Sequence, residues 1–320
     1  MKPLTKPVAA LIRATNFERG LSALWEQLGE PFLNLDRGAS VLIKPNCTCS
    51  RDPETGASSD LRIAVHLARR ALEAGASEVI VAEGMGSGDN SLDEVRGIET
   101  LRRMTNVRVV DLNDAETLEV LVDEPFVLDR FLIPRIVHES DFIVNLAKLK
   151  VHPLAGLSLA IKNMMGVLPG RSLLSPQEAK KRGYPTPWLP KGGKRAFHDL
   201  ARDRGREVMQ SALVDLNAAV PTHLTVIDGF YGMEGPGSPV KGRPVKMDLL
   251  IASRDLVAAE VIGAAVMGFD PNSLPYIRAA AERGLGAQHR LDSIEIRGVR
   301  VEDVRRNFEP ADAAKMWAQL

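Results

Sequence analysis

The chain has 320 residues, 45% of them hydrophobic and 26% charged, which is enough to bury a substantial core and gives a prior of about two lobes. Lysine plus arginine and aspartate plus glutamate each total 41, so the net charge is zero and gives no support for a nucleic-acid or polyanionic-membrane partner. No apolar run approaches the roughly 18 residues that span a bilayer, and two cysteines spaced C-x-C make no disulfide framework, so the cytoplasm is the expected compartment.

The N-terminal "PVAALIRA" reads as a first strand rather than part of a signal peptide, and "FERGLSALWEQLG" as an amphipathic helix. "SVLIKPN" is a predicted strand, "DLRIAVHLARRALEAGA" a helix stopping at Gly75, and "SEVIVAEG" a strand. A helix is expected across "SLDEVRGIETLRRM", then a strand at "NVRVVDL". This alternation is the rhythm of a parallel sheet covered by helices. "ETLEVLVDEPFVLDRFLIPRIVHES" breaks it and reads as a small antiparallel patch, and "DFIVNLAKLK" resumes as a buried strand. Residues 167–195 are rich in Pro, Gly and basic residues, a long loop of the kind that serves a site. One helix is expected over "RAFHDLARDRGREVMQSALVDLNAAV", followed by strand "HLTVIDG", loop "FYGMEGPGSPVKGRPV", strand "MDLLIAS", helix "RDLVAAEVIGAAVMG" and strand "LDSIEIRG". The expected architecture is α/β: mostly parallel sheets covered by helices, in two lobes (1–135 and 136–320) with a cleft and a small antiparallel patch. The last fifty residues are a candidate homodimer surface.

Ligands of open parallel sheets gather beyond the carboxyl ends of the strands, so polar residues there are the candidates. Lys44 and Asn46 end one strand, and Cys47 and Cys49 follow as a soft-metal pair, a redox thiol or two small turn residues. Two thiolates fall short of the four ligands of a closed zinc or cluster site. Gly84, Gly86 and Gly88 follow another strand and precede a helix, a setting in which backbone N–H groups approach an anion. Lys148 and Lys150, two apart on a strand, point the same way and invite an anion between them. His152 comes next. Lys162 sits in "LSLAIKNMMG", where an apolar surrounding lowers a lysine pKa and suits a general base or Schiff-base amine, and Asn163 adjoins it. Asp228 ends a strand, Glu234 lies in a glycine-rich loop, and His198 begins a helix after the basic segment. His66 is expected in packing; His138, His223 and His289 have no partner pattern.

"VLIKPN", "GASEVIVAEG", "SDFIVNLAKLKVH", "AIKNMMG", "VIDGFYGMEGPGSPVKGRP" and "SRDLVAAEVIGAAVMG", in this order over residues 38–270, resemble the family catalogued as domain of unknown function 362. Members of that family often carry a ferredoxin-type iron–sulfur module; this chain has only Cys47 and Cys49. "SDFIVNLAKLKVHPLAGLSLAIKNMMGVLPG" is also similar in layout to a segment of the nickel-pincer lactate racemase family, which has a lysine ten positions after a histidine, as Lys162 follows His152. That resemblance implies a nickel-pincer-type cofactor or metal ion, a lysine that attaches it and a histidine near the reacting carbon. The racemase's histidine-rich motif after an early glycine loop is here "GMGSGDNS", and its small "SGG" before the lysine is "SLA". The reading is an enzyme, racemase-like or an oxidoreductase, acting on a small anionic, hydroxy-acid-like or biosynthetic molecule by Lys/His-mediated proton or hydride transfer. Lys162, His152, His198 and Asp228 would be its catalytic groups. Lys44, Asn46, the three glycines, Lys148, Lys150, Asn163 and Glu234 would bind the anion. The alternatives are a metal- or iron–sulfur-linked redox protein using Cys47 and Cys49, and a non-catalytic anion-binding module.

Overall fold

The computed structural model describes residues 6–85, 91–169, 194–286 and 289–311. Short β-branched runs form its centre. β1 (Val8–Arg13), β2 (Ser40–Lys44), β3 (Glu78–Glu83), β4 (Val107–Asp111), β7 (Phe142–His152), β8 (Gly156–Ser158), β9 (Leu224–Glu234), β10 (Arg243–Ser253) and β11 (Glu295–Gly298) make one nine-stranded sheet. Its order is β11-β1-β10-β9-β7-β2-β3-β4, with β8 paired to β7. Only β10 and β8 run against the rest. The antiparallel patch is a separate two-stranded sheet of β5 (Thr117–Leu121) and β6 (Arg130–Pro134). β7 pairs with β2 on one side and β9 on the other, so the two halves of the chain share one sheet across the 135/136 boundary.

Side-chain alternation covers both faces. Val41, Ile43, Val79 and Val81 join one apolar layer with helices Phe17–Leu28 and Leu61–Glu73. Leu42, Ile80 and Ala82 join the opposite layer with helices Arg206–Ala219 and Leu256–Val266. The helix starts are capped as their sequences direct. Asn16 accepts from the Arg19 N–H at 3.0 Å and Asp255 from the Ala258 N–H at 2.8 Å.

Four elements differ from the sequence reading. Residues 91–104 split into a 3₁₀ turn Leu92–Glu94 and a helix Ile98–Arg102 around Gly97. The helix expected over 195–220 is two, Lys194–Arg204 and Arg206–Ala219, because Gly205 takes φ +96, outside helical space. The loop expected over 230–245 is shorter, since β9 and β10 extend into it and pair Glu234 with Arg243. Helix Pro275–Glu282, with proline in its first turn, went unrecognised.

One polar contact staples the sheet centre. Lys148 and Asp228 are register partners on β7 and β9, fully buried, with Nζ 2.9 Å from Oδ2. Asp228 also accepts from the Asp60 N–H at 2.8 Å, which ties helix Leu61–Glu73 to β9, and from the Phe230 N–H at 3.1 Å. Removing one partner strands a buried charge. Asp228→Ala should therefore cost about 3–5 kcal/mol in urea unfolding, and the double change Lys148→Met, Asp228→Leu should recover most of it.

Candidate functional site

The ends of β2, β3 and β7 meet at one edge of the sheet. Lys44 ends β2 and is buried, so its ammonium needs three acceptors. It has them: the Pro45 carbonyl at 2.7 Å, Glu83 Oε2 at 2.8 Å and Asn163 Oδ1 at 3.0 Å. Glu83 ends β3 and also accepts from the Cys47 N–H at 2.9 Å. Gly166 lies against this ion pair so closely that a Cβ there would collide with Glu83 Oε1 and Lys44 Nζ.

A directed chain of side-chain amides runs behind the pair. Lys150 donates to Asn46 Oδ1 at 2.7 Å, and Asn46 Nδ2 donates to Asn163 Oδ1 at 2.9 Å. Asn163 Nδ2 donates to Asn145 Oδ1 at 2.7 Å, and Asn145 Nδ2 to the Ala160 carbonyl at 2.9 Å. A lysine can only donate, so Lys150 at the head sets the orientation of every amide after it. The peptide at Ala160–Ile161 is pinned from two more sides. Asn217 Nδ2 donates to the Ile161 carbonyl at 2.9 Å, and Glu260 Oε2 accepts from the Ile161 N–H at 2.9 Å. Tyr276 donates its hydroxyl to Glu260 Oε1 at 2.8 Å.

These contacts frame a cavity of about 230 Å³ lined by Lys44, Asn46, Glu83, Gly84, His152, Ser158, Lys162, Asn163, Lys194 and His198 among others. Liquid water takes about 30 Å³ per molecule, so the space equals roughly seven or eight waters. That space suits a small molecule. Lys162 lies on the short helix Ala160–Asn163, one residue beyond the pinned peptide. Burial first, and the charges of Lys150 and Lys44 second, bring it down to about 7. Lys194 also falls to about 7, chiefly through burial, and donates to the Gly84 carbonyl. Lys150 falls to about 8 for the same reason. Burial, then Lys162 and His198, hold His152 well below its ordinary value, so it is a neutral imidazole at pH 7. Its Nδ1 accepts from the Leu154 and Ala155 N–H groups, both at 3.1 Å. The ring proton must then sit on Nε2, which makes His152 a hydrogen-bond donor rather than a base.

The structure thus brings Lys44, Asn46, Gly84, His152, Lys162, Asn163 and His198 to one cavity. The other expected site residues are placed differently. Lys148 and Asp228 neutralise each other, so the Lys148 charge is met within the protein. Lys150 spends its protons on Asn46 Oδ1 and the carbonyls of Ala57 and Pro239, so it supplies charge and scaffold without a free donor. The Gly84 N–H goes to the Gly166 carbonyl at 2.8 Å and is not offered to an anion. Gly86, Gly88 and residues 170–193 of the basic segment lie outside the described residues. Glu234 pairs with Arg243 at 3.0 Å and accepts from the Glu309 N–H, away from the cavity. Cys47 packs in the apolar layer beneath helix Leu61–Glu73, where burial and then Glu83 raise its thiol pKa, whereas Cys49 packs with Ala57 and Met233. The two sulfurs therefore sit in different apolar clusters, and among the described residues no group of three or more His, Cys, Asp or Glu is placed to hold a metal ion. Glu83, Asn145, Lys194 and Glu260 were missed by sequence reasoning. Glu260 did leave a signal, a single charged residue inside an otherwise apolar helix.

Fold and site define a class: an α/β protein whose parallel strand ends enclose a small, lysine-rich cavity. The chain belongs to the family described as Domain of unknown function (DUF362), which it matches over residues 41–265. It is also similar to a thylakoid-associated protein of Synechocystis sp., with 24% identity over 281 residues that cover 86% of this chain and 79% of that one. No solved structure matches it. Among the described residues no helix is long and apolar enough to cross a membrane.

Gly166→Ala should push Lys44 and Glu83 apart and lower stability by about 1–3 kcal/mol in thermal or urea unfolding. The shifted groups also set a pH dependence. Between pH 7 and 10.5 the unfolded chain holds lysine protons that folded Lys162 and Lys194 have released, so their contribution to stability rises with pH across that window. Glu260 acts with the opposite sign. Burial raises it from 4.5 to about 7, so its contribution falls as pH rises between those values. Lys162→Met should flatten the rising limb measured by urea unfolding from pH 7 to 10.

Proposed function

We propose that the protein is an enzyme that takes a small carboxylate- or phosphate-bearing molecule, hydroxy-acid-like or a biosynthetic intermediate, into this cavity and moves a proton there. The observation that carries this reading is the Lys162 amine, which faces the cavity, meets no protein hydrogen-bond acceptor among the described residues and titrates near neutrality. A base whose pKa lies near the working pH combines availability with driving force. Lys162 is the base in this reading. The neutral His152 donates Nε2–H to a substrate oxygen, as a neutral imidazole does when its charged form is suppressed. Lys150 and Lys194 supply the positive potential that holds the anion. His198, facing the same cavity, is the second imidazole, placed to exchange the proton with solvent. A pure binding module has no need of an amine tuned to neutrality that meets no acceptor among the described residues. We assign the protein to the cytoplasm, a reducing compartment, because both cysteines are free thiols.

A bound anion favours the protonated lysines, so binding takes up protons above pH 7 and weakens as pH rises, by up to about tenfold per unit for each lysine that must be charged. Calorimetry with inorganic phosphate and small 2-hydroxy acids, in two buffers of different ionisation enthalpy at pH 8, should show that uptake. An affinity indifferent to pH from 7 to 9 would remove this reading. A bound acid should exchange the hydrogen on its reacting carbon in D₂O, and Lys162→Met should stop the exchange while leaving the melting temperature within a few degrees.

A further inference from the structure

We propose that Lys162 is a nucleophile that captures a small carbonyl acid, an aldehyde acid or a 2-oxo acid, as an imine in this cavity. The inference rests on the anion reading and narrows it to a substrate class. Its basis is a contrast among five lysines of the sheet and the helices beside it. Lys44, Lys148, Lys150 and Lys194 each donate to protein oxygens: Lys44 to Glu83, Lys148 to Asp228, Lys150 to Asn46 and Lys194 to the Gly84 carbonyl. Lys162 donates to none among the described residues and faces the cavity. A lysine meant only as fixed charge is stabilised by acceptors, as the other four are.

The backbone beneath Lys162 is held as firmly as its side chain is left open. Asn145, Asn217 and Glu260, all buried, grip the peptide groups of Ala160 and Ile161. A positioned nucleophile needs that fixed base. The cavity also has what a carbonyl acid would use. The Nε2–H of His152 can meet the carbonyl oxygen, and the charges of Lys150 and Lys194 can hold the carboxylate. Burial beside Lys150 and Lys44 brings Lys162 down to about 7, so its neutral, nucleophilic form is far more available near neutral pH than that of an ordinary lysine.

The chemistry balances without a further reagent. The Lys162 nitrogen adds to the carbonyl carbon and the carbonyl π pair moves to oxygen. The amine's two hydrogens then leave with that oxygen as water, and a carbon–nitrogen double bond remains. Protonation of this nitrogen from solvent makes the carbon an electron sink; in this form Lys162 exchanges its role as base for that of the sink, and the proton leaving the neighbouring carbon passes to solvent water.

The test is reductive trapping of the full chain at pH 7 with limiting glyoxylate and cyanoborohydride, read by peptide mass spectrometry. The expected result is an N-carboxymethyl group on Lys162 at least tenfold ahead of the exposed Lys246. Inorganic phosphate should suppress that label, and Lys162→Met should lack it. Labelling of Lys162 no faster than Lys246 would overturn the imine. If phosphate binding still took up protons, the anion reading would survive that failure. Trapping of acetaldehyde at Lys162, relative to Lys246, as readily as glyoxylate would overturn the assignment of an acid.

Discussion

An ammonium group taken out of water is held there by oxygen acceptors on its hydrogens, and much of this protein's polar interior follows from burying several of them together. Lys44, Lys148 and Lys150 are at most 1% exposed. Their acceptors come from Pro45, Pro53, Ala57, Asn46, Glu83, Asn163, Asp228 and Pro239, drawn from segments far apart in the chain. The loops after β2 and β9 and the turn after β8 are therefore held by the lysines they serve. A loop that moved away would leave an uncompensated charge, at a cost of several kcal/mol.

The ballast is uneven, and that unevenness shapes the cavity. Lys44 has the Glu83 carboxylate and Lys148 has Asp228, while Lys150 has only neutral oxygens. Its positive charge reaches into the cavity and helps depress Lys162 and His152. A second layer fixes geometry rather than charge. Glu260, raised to about 7 by burial, grips the peptide beneath Lys162 and is itself held by Tyr276. The result is a lysine-lined space in which the Lys162 amine meets no acceptor among the described residues.

Much of the frame is readable from residue order. Alternation in "SVLIK" and "SEVIVAE" places β2 and β3, and with them Lys44 and Glu83 at the same edge. His152 and Lys162, candidates from their residue types, both line one cavity. What residue order does not reveal is which polar groups satisfy each other. Lys148 and Lys150 have the same spacing logic and different fates, because a register shift of β7 against β9 between them gives one a carboxylate and the other backbone carbonyls. Gly205 ends a helix that hydropathy alone would continue, and Glu234 turns outward to Arg243 because β9 continues as a hairpin.

The sequence by itself determined the α/β alternation, the strand ends at which polar residues collect and the presence of lysines in apolar surroundings. Those features depend on local period and composition. Tertiary structure decided which lysines meet a carboxylate, which meet only neutral oxygens and which way each asparagine amide points. Those outcomes depend on contacts across more than a hundred residues, such as Lys44 with Asn163 and Lys150 with Asn46, and hydrogen-bond saturation is a property of the assembled cluster.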